Sequence, residues 1–285
     1  MLAKTEAMVG MVLLLTLPGL LFAAESGGPA VVSDVPYIVE GHELQTLDIY
    51  HVPGELRPVI VYVHGGGWAF GDKADVSVKP GFFLDQGMAL VSMNYRLRWD
   101  FPVLSQLEDI ASVIVWVREN GEAFGLDPQR ISLMGNAAGA HLVSVVATNP
   151  RILRAEDLSL SDISSVIAID TGSYDIPRVM SSANFIERRQ HRLIFGNDER
   201  SWEEYSPAFH VGPDREIPPF VIVYGENKEP DNWQAQAFAS SLTEAGVDAI
   251  LIPTGDRARQ DIDGAIGQSG DVATQAILTF LRANF

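Results

Sequence analysis

Residues 131–142 read Ile131-Ser132-Leu133-Met134-Gly135-Asn136-Ala137-Ala138-Gly139-Ala140-His141-Leu142. An apolar run leads straight into a segment whose flanking glycines allow strained dihedrals and close packing, so the spacing predicts a strand that turns sharply into a helix. Outward from it, five further β-branched runs recur, at 59–63, 89–93, 166–169, 220–224 and 249–252. None alternates with polar residues, so each is expected to be buried on both faces. Between them lie helical stripes: Leu104, Leu107, Ile110, Ile114 and Val117; Trp233, Ala237, Phe238, Ser241 and Leu242; and Val272, Ala276, Ile277, Phe280 and Leu281. Strands that alternate with helices need crossover connections, which makes the expected class α/β, with a mainly parallel sheet and helices on both faces. Ahead of these runs, Tyr37 to Tyr50, turning near Gly41, reads as an antiparallel hairpin at the sheet edge.

The 285 residues include 20 Lys and Arg against 37 Asp and Glu, no Cys, and 47% hydrophobic residues, the profile of a globular protein with an ample core. A formal charge of −17 gives no footing for a nucleic-acid backbone or an anionic membrane surface. Without cysteine there is no disulfide, no thiolate catalysis and no Cys-ligated metal. The histidines, at 42, 51, 64, 141, 191 and 210, lack metal-ligand spacing, and neither a dinucleotide nor a P-loop motif occurs, so no metal and no cofactor is expected. The uncharged stretch from Ala7 to Phe22, centred on Leu13-Leu14-Leu15 and followed by Ala23-Ala24, predicts a signal peptide over 1–24. Export to a periplasm or the outside follows, with no stable membrane anchor after cleavage. No linker or repeat divides 25–285, which is expected to form a single domain.

In a parallel sheet, ligands sit at the carboxyl ends of the strands. Directly after the 59–63 run comes His64-Gly65-Gly66-Gly67-Trp68, where consecutive glycines let backbone N–H groups converge on one point, as in an oxyanion hole. With this loop and the 135–142 turn, the chain resembles the α/β-hydrolase superfamily, in the esterase and lipase group whose motifs read H-G-G-G-W and G-x-S-A-G-A-H-L. The likeness extends to Gly71-Asp72-Lys73, Asn94-Tyr95-Arg96-Leu97, Ser206-Pro207 and Ile217-Pro218-Pro219-Phe220, and so to nearly the whole mature chain. It implies the α/β-hydrolase fold and a site around His64, Trp68 and the N–H groups of Gly66, Gly67 and Ala138. The segment 173–214 is long for a connection and reads as a short lid insertion. Its Arg188, Arg189, His191 and Arg192 read as a solvated face paired with Glu187, Asp198 and Glu199, or as an anion gate.

The likeness breaks where chemistry would need it most. At the position of the family's serine stands Ala137, whose methyl has no lone pair to attack a carbonyl. The family's acid follows the 220–224 strand, and the register places Lys228 there, with Glu226, Glu229 and Asp231 as alternative carboxylates. No histidine follows His210, and alignment through Gly267-Gln268-Ser269-Gly270-Asp271 places Arg259 at the family's histidine. An arginine, with a pKa above about 12, is no base near neutral pH. Thr171, Ser173 and Tyr174 follow a strand and can face the same pocket, without an evident base, while His64 and His141 are expected to be structural. The resemblance thus implies an esterase-like protein inactive as a serine hydrolase, binding a small acidic or carbonyl ligand, with Lys228 and Arg259 as added cations. The alternatives are a weak carboxylic-ester hydrolase with a non-standard nucleophile or an activated water, and a protein-binding scaffold.

Overall fold

The computed structural model describes residues 28–226 and 231–285, without the side chains of Asp231, Arg259 and Gln260. The expected signal peptide at 1–24 and Lys228 lie outside the described residues. The strands are β1 (Ala30–Pro36), β2 (Thr46–His51), β3 (Arg57–Val63), β4 (Ala89–Met93), β5 (Leu126–Asn136), β6 (Ser165–Ile169), β7 (Phe220–Tyr224) and β8 (Ala249–Pro253). They form one sheet in the order β1-β2-β4-β3-β5-β6-β7-β8. β2 runs antiparallel to β1 and β4, and all later pairings are parallel.

The helices are α1 (Lys79–Asp85), α2 (Val103–Asn120), α3 (Ala138–Thr148), α4 (Pro150–Arg154), α5 (Ile176–Ser182), α6 (Phe185–Phe195), α7 (Glu199–Glu204), α8 (Pro207–His210), α9 (Asp231–Glu244), α10 (Arg259–Ala265) and α11 (Val272–Asn284). The pleat divides them between the two faces of the sheet. Val59, Val61 and Val63 of β3 join a core with Leu107 and Ile110 of α2, Val143 of α3 and Phe238 of α9. Ile60 and Tyr62, pointing the other way, join Phe83 of α1 with Ile277 and Leu281 of α11. Each fully buried aliphatic side chain contributes about 1.5–3 kcal/mol, so both faces of β3 hold the sheet centre in place.

The structure corrects four sequence expectations. The hairpin pairs Ala30 with His51 and Pro36 with Thr46, so its first strand lies upstream of Tyr37 and Gly41 falls in the connection. β8 is an edge strand with Ile250 exposed, because no further strand covers it. On α9 the inward face is Gln234, Ala235, Phe238, Ala239 and Leu242, rather than the stripe that begins at Trp233. Leu104 and Val272, read as inward, are exposed in the first turns of α2 and α11. The segment 173–214 folds as α5 to α8 and lies between β6 and β7. Among the described residues, no helix is long and apolar enough to cross a membrane.

Candidate functional site

The site is built where β3, β5 and β6 end. Ala137 joins β5 to α3 at φ +50° and ψ −109°, a conformation L-residues rarely adopt. Its N–H donates to the Ile169 carbonyl of β6 at 2.8 Å, which pins the corner to the neighbouring strand. α3 leaves the corner so close to β3 that a Cβ on Gly139 would stand 2.0 Å from the Val63 carbonyl oxygen. Only glycine permits that approach. The corner is thus a forced turn, with Ala137 at its half-exposed tip.

Opposite it runs the loop after β3. Gly66, at φ +115°, accepts from the N–H groups of Ala69 and Phe70 at 3.2 and 3.0 Å, and a Cβ there would lie 2.1 Å from the Phe70 carbonyl oxygen. Trp68 also has a positive φ, +63°. It is held by its carbonyl, which accepts from Gln106 Nε2 at 2.7 Å and from the Arg98 N–H at 2.8 Å, and by its indole N–H. Among the described residues, no acceptor takes the N–H of Gly66, Gly67 or Ala138. Ala138 is the first residue of α3, where an N–H has no partner within the helix and the macrodipole is positive. Fixed, unspent donors at the end of a sheet suit an oxygen that carries negative charge.

The sequence did not flag the residues that hold this loop. Gln106 and Asp109, three apart on the buried face of α2, are both fully buried. Gln106 Nε2 also donates to the Arg96 carbonyl at 3.0 Å. The Asp109 carboxylate accepts from the Arg96 N–H at 2.8 Å, from Arg96 Nε at 2.9 Å and from Gln45 Nε2 at 2.7 Å. The available signal was two polar residues interrupting an apolar helical stripe. Asn94 works beside them, accepting from the Lys73 N–H at 2.7 Å and donating to Asp72 at 3.1 Å. This explains why Gly71-Asp72-Lys73 and Asn94-Tyr95-Arg96-Leu97 occur together.

Neither His64 nor His141, both buried and outside the lining of the corner cavity, is available as a base. Trp68 Nε1 donates to His141 Nδ1 at 3.1 Å, and His141 Nε2 donates to the Tyr205 carbonyl at 2.7 Å. Burial pushes the His141 pKa down to about 4, so both ring nitrogens are committed to a neutral imidazole. His64 stacks on Tyr95 at 4.4 Å, donates from Nδ1 to the Gly65 carbonyl at 2.7 Å, and is likewise lowered by burial. Ser132 and Ser92 are buried within strands, bonded to Ser165 Oγ and the Lys73 carbonyl.

A cavity of about 360 Å³ opens at the corner. Its floor is Gly67, Trp68, Ala137 and Ala138, one wall is Thr171, Gly172 and Ser173 after β6, and the cover is Val179, Glu187, Gln190 and His191 from α5 and α6. Gly66 and His64 do not line it, since His64 sits behind the loop. Tyr174 is buried, stacked on Phe238 at 4.4 Å, and does not line it either. α6 is seated by Phe195, whose ring meets Trp68 at 4.9 Å and His141 at 5.2 Å. Within it, the Glu187 carboxylate accepts the Asn184 N–H at 3.1 Å, while His191 bonds the Glu187 carbonyl through Nδ1 at 2.9 Å. No ion pair of Arg188, Arg189 or Arg192 with Glu187, Asp198 or Glu199 occurs among the described residues. Arg259 opens α10 after β8. Among the described residues, no cluster of His, Asp and Glu is arranged to hold a metal.

The strand order, the strained corner after β5 and the glycine loop after β3 define an α/β-hydrolase of the esterase and lipase group. The family profile described as BD-FAE matches residues 47–242, and the chain belongs to that family. Esterase LipQ of Mycobacterium tuberculosis is 29% identical over 88% of this chain and 62% of its own length. The probable isoprenylcysteine alpha-carbonyl methylesterase ICMEL2 of Arabidopsis thaliana is 30% identical over 74% of this chain and 53% of its own. The chain therefore spans little more than half the length of these relatives. Among solved structures, a truncated carbohydrate esterase from gut microbiota superposes with a TM-score of 0.75 at 20% identity, over 92% of this chain and 98% of that one.

Proposed function

We propose that this chain binds a small carboxylate or carbonyl compound at the Ala137 corner without forming an acyl-enzyme. The observation that carries the reading is the corner itself. Ala137 keeps the strained backbone of a nucleophile turn and faces a cavity whose floor brings an unspent N–H from Gly67 and Ala138, yet its side chain is a methyl. The donors are backbone groups, so loss of the side chain leaves them intact. Lys228 and Arg259, at the positions the resemblance gives to the acid and the histidine, add positive charge to the proposal and remove the base.

Titration of butyrate into the protein, alongside hydrolysis of 4-nitrophenyl acetate, tests this. Saturable butyrate binding with hydrolysis no faster than in a heat-denatured sample is the expected result. Turnover above that background overturns it.

One observation favours a second reading, in which a water is activated. His191 lines the cavity with Nδ1 bound to a carbonyl, which puts the proton on Nδ1 and leaves the Nε2 lone pair open. In that reading water attacks the ester carbonyl carbon, its proton passes to His191 Nε2, and the alcohol leaves with that proton. Turnover lost in His191→Gln would select it. The apolar stretch before residue 25 adds export to the proposal, which N-terminal sequencing of the protein from an exporting host checks.

A further inference from the structure

A cavity of about 530 Å³ lies away from the Ala137 corner and shares no lining residue with the cavity there. Asn149, where α3 passes into α4, is part of its wall. A helix rises about 1.5 Å per residue, so the 11 residues of α3 put Asn149 about 16 Å from Ala137. Arg151, Arg154 and Arg215 all line this cavity, in a chain whose formal charge is −17. Arg151 and Arg154 stand three residues apart on α4 and so share a face. Arg215 comes from the loop after α8, and its Nη1 donates to the His210 carbonyl at 2.9 Å. Burial and the nearby charges of Arg215 and Arg151 hold the His210 pKa below its usual value, so both guanidinium groups act on one ring. Among the described residues, none of the three arginines enters an ion pair.

The rest of the wall is selective. Asn149 is 3% exposed, and its Oδ1 is spent on the Arg151 N–H at 3.2 Å, while no acceptor among the described residues takes its Nδ2. A buried amide with an unspent donor calls for an acceptor. On either side of Arg215, Asp214 and Glu216 line the cavity at φ of +59° and +53°, left-handed backbone that costs each about 1–3 kcal/mol. Neither carboxylate is tied up in an ion pair among the described residues.

We propose that this cavity binds a phosphate monoester of a hydroxyl-bearing compound, such as a sugar phosphate, whatever the Ala137 corner binds. Guanidinium groups donate in forks that match paired phosphate oxygens, and the Asn149 Nδ2 adds a further donor. Asp214 and Glu216 only accept, so the rest of the ligand must donate, as hydroxyl groups do. Phe209 and Leu160 give its carbon skeleton an apolar side. The volume is that of a small-molecule site, about 300–1,000 Å³, and exceeds what a bare phosphate fills.

Calorimetric titration of ribose 5-phosphate and of inorganic phosphate into the protein, and into the double variant Arg151→Gln, Arg154→Gln, tests this. Both replaced side chains are exposed, and an unchanged urea midpoint checks that the variant folds. The expected result is saturable binding of ribose 5-phosphate, about tenfold tighter than phosphate, with both affinities falling at least about tenfold in the variant. Saturation by neither compound overturns the site. Affinities that survive the double replacement overturn it too, since they place the anion elsewhere. Equal affinity for the two compounds overturns the hydroxyl-bearing part of the proposal.

Discussion

Replacing Ala137 with glycine should stabilise the protein, although it removes a side chain. At φ +50° and ψ −109° the Ala137 Cβ crowds its own backbone, a strain of about 1–3 kcal/mol that glycine escapes. Two terms oppose the gain. The unfolded chain becomes freer by about 0.4–1 kcal/mol. A half-buried methyl is lost, worth about 0.4 kcal/mol. The net is a gain of about 1 kcal/mol, or a rise of about 2–4 °C in Tm for a chain of this size. Urea unfolding reads it as a higher midpoint at unchanged slope. Ala138→Gly, one residue on and already in α3, is the control and should lose about 1 kcal/mol. Loss of stability in Ala137→Gly comparable to that control would refute the claim that the corner is strained.

Gly66→Ala should destabilise by about 2–4 kcal/mol, since its Cβ meets the Phe70 backbone, whereas Gly67→Ala, with open space around it, should cost about 1 kcal/mol. Asp109→Ala leaves the Arg96 guanidinium and Gln45 without their shared acceptor and should cost about 3 kcal/mol in urea unfolding. His141 is held neutral with its pKa lowered to about 4, so its contribution is complete above the unfolded value near 6.5 and is lost as the pH falls toward 4. Between pH 7 and pH 4.5 the protein should lose about 2.5 kcal/mol of stability that His141→Gln does not lose. Lys79, fully buried and 2.9 Å from Asp263, ties α1 to α10, and Lys79→Met should cost about 3 kcal/mol, most of it recovered when Asp263→Asn is added.

The sheet was legible because its parallel strands, the edge strand β8 apart, are buried on both faces and so appear as unbroken apolar runs. Each of the six runs lies within a strand. β1 escaped, since its residues are mostly exposed and only pairing with β2 makes Ala30–Pro36 a strand. The face of α9 was misread for a related reason. Trp233 reaches the surface, where the Arg178 guanidinium lies over its ring at 4.2 Å, while Gln234 is buried because its amide bonds the Asp175 backbone. A polar side chain with a buried partner looks like a surface residue until the partner is known.

The same limit applied to the candidate site. Ala137, Gly67, Trp68 and Ala138 were legible from loop and corner motifs and meet in one cavity. Gln106 and Asp109, which hold the loop in place, were not, because their meaning lies in contacts with Trp68 and Arg96 across the fold. His191 had been read with the basic residues of a helix face, and only the seating of α6 on Trp68 and His141 brings it to the cavity.

The central claim is that the corner residue gives no covalent chemistry. Its most direct test is the intact mass of the protein before and after a reactive fluorophosphonate, beside the triple variant Ala137→Ser, Lys228→Asp, Arg259→His. The account predicts an unchanged mass for the protein and a single adduct on the variant. An adduct on the unaltered protein would contradict it, and peptide mapping would name the nucleophile.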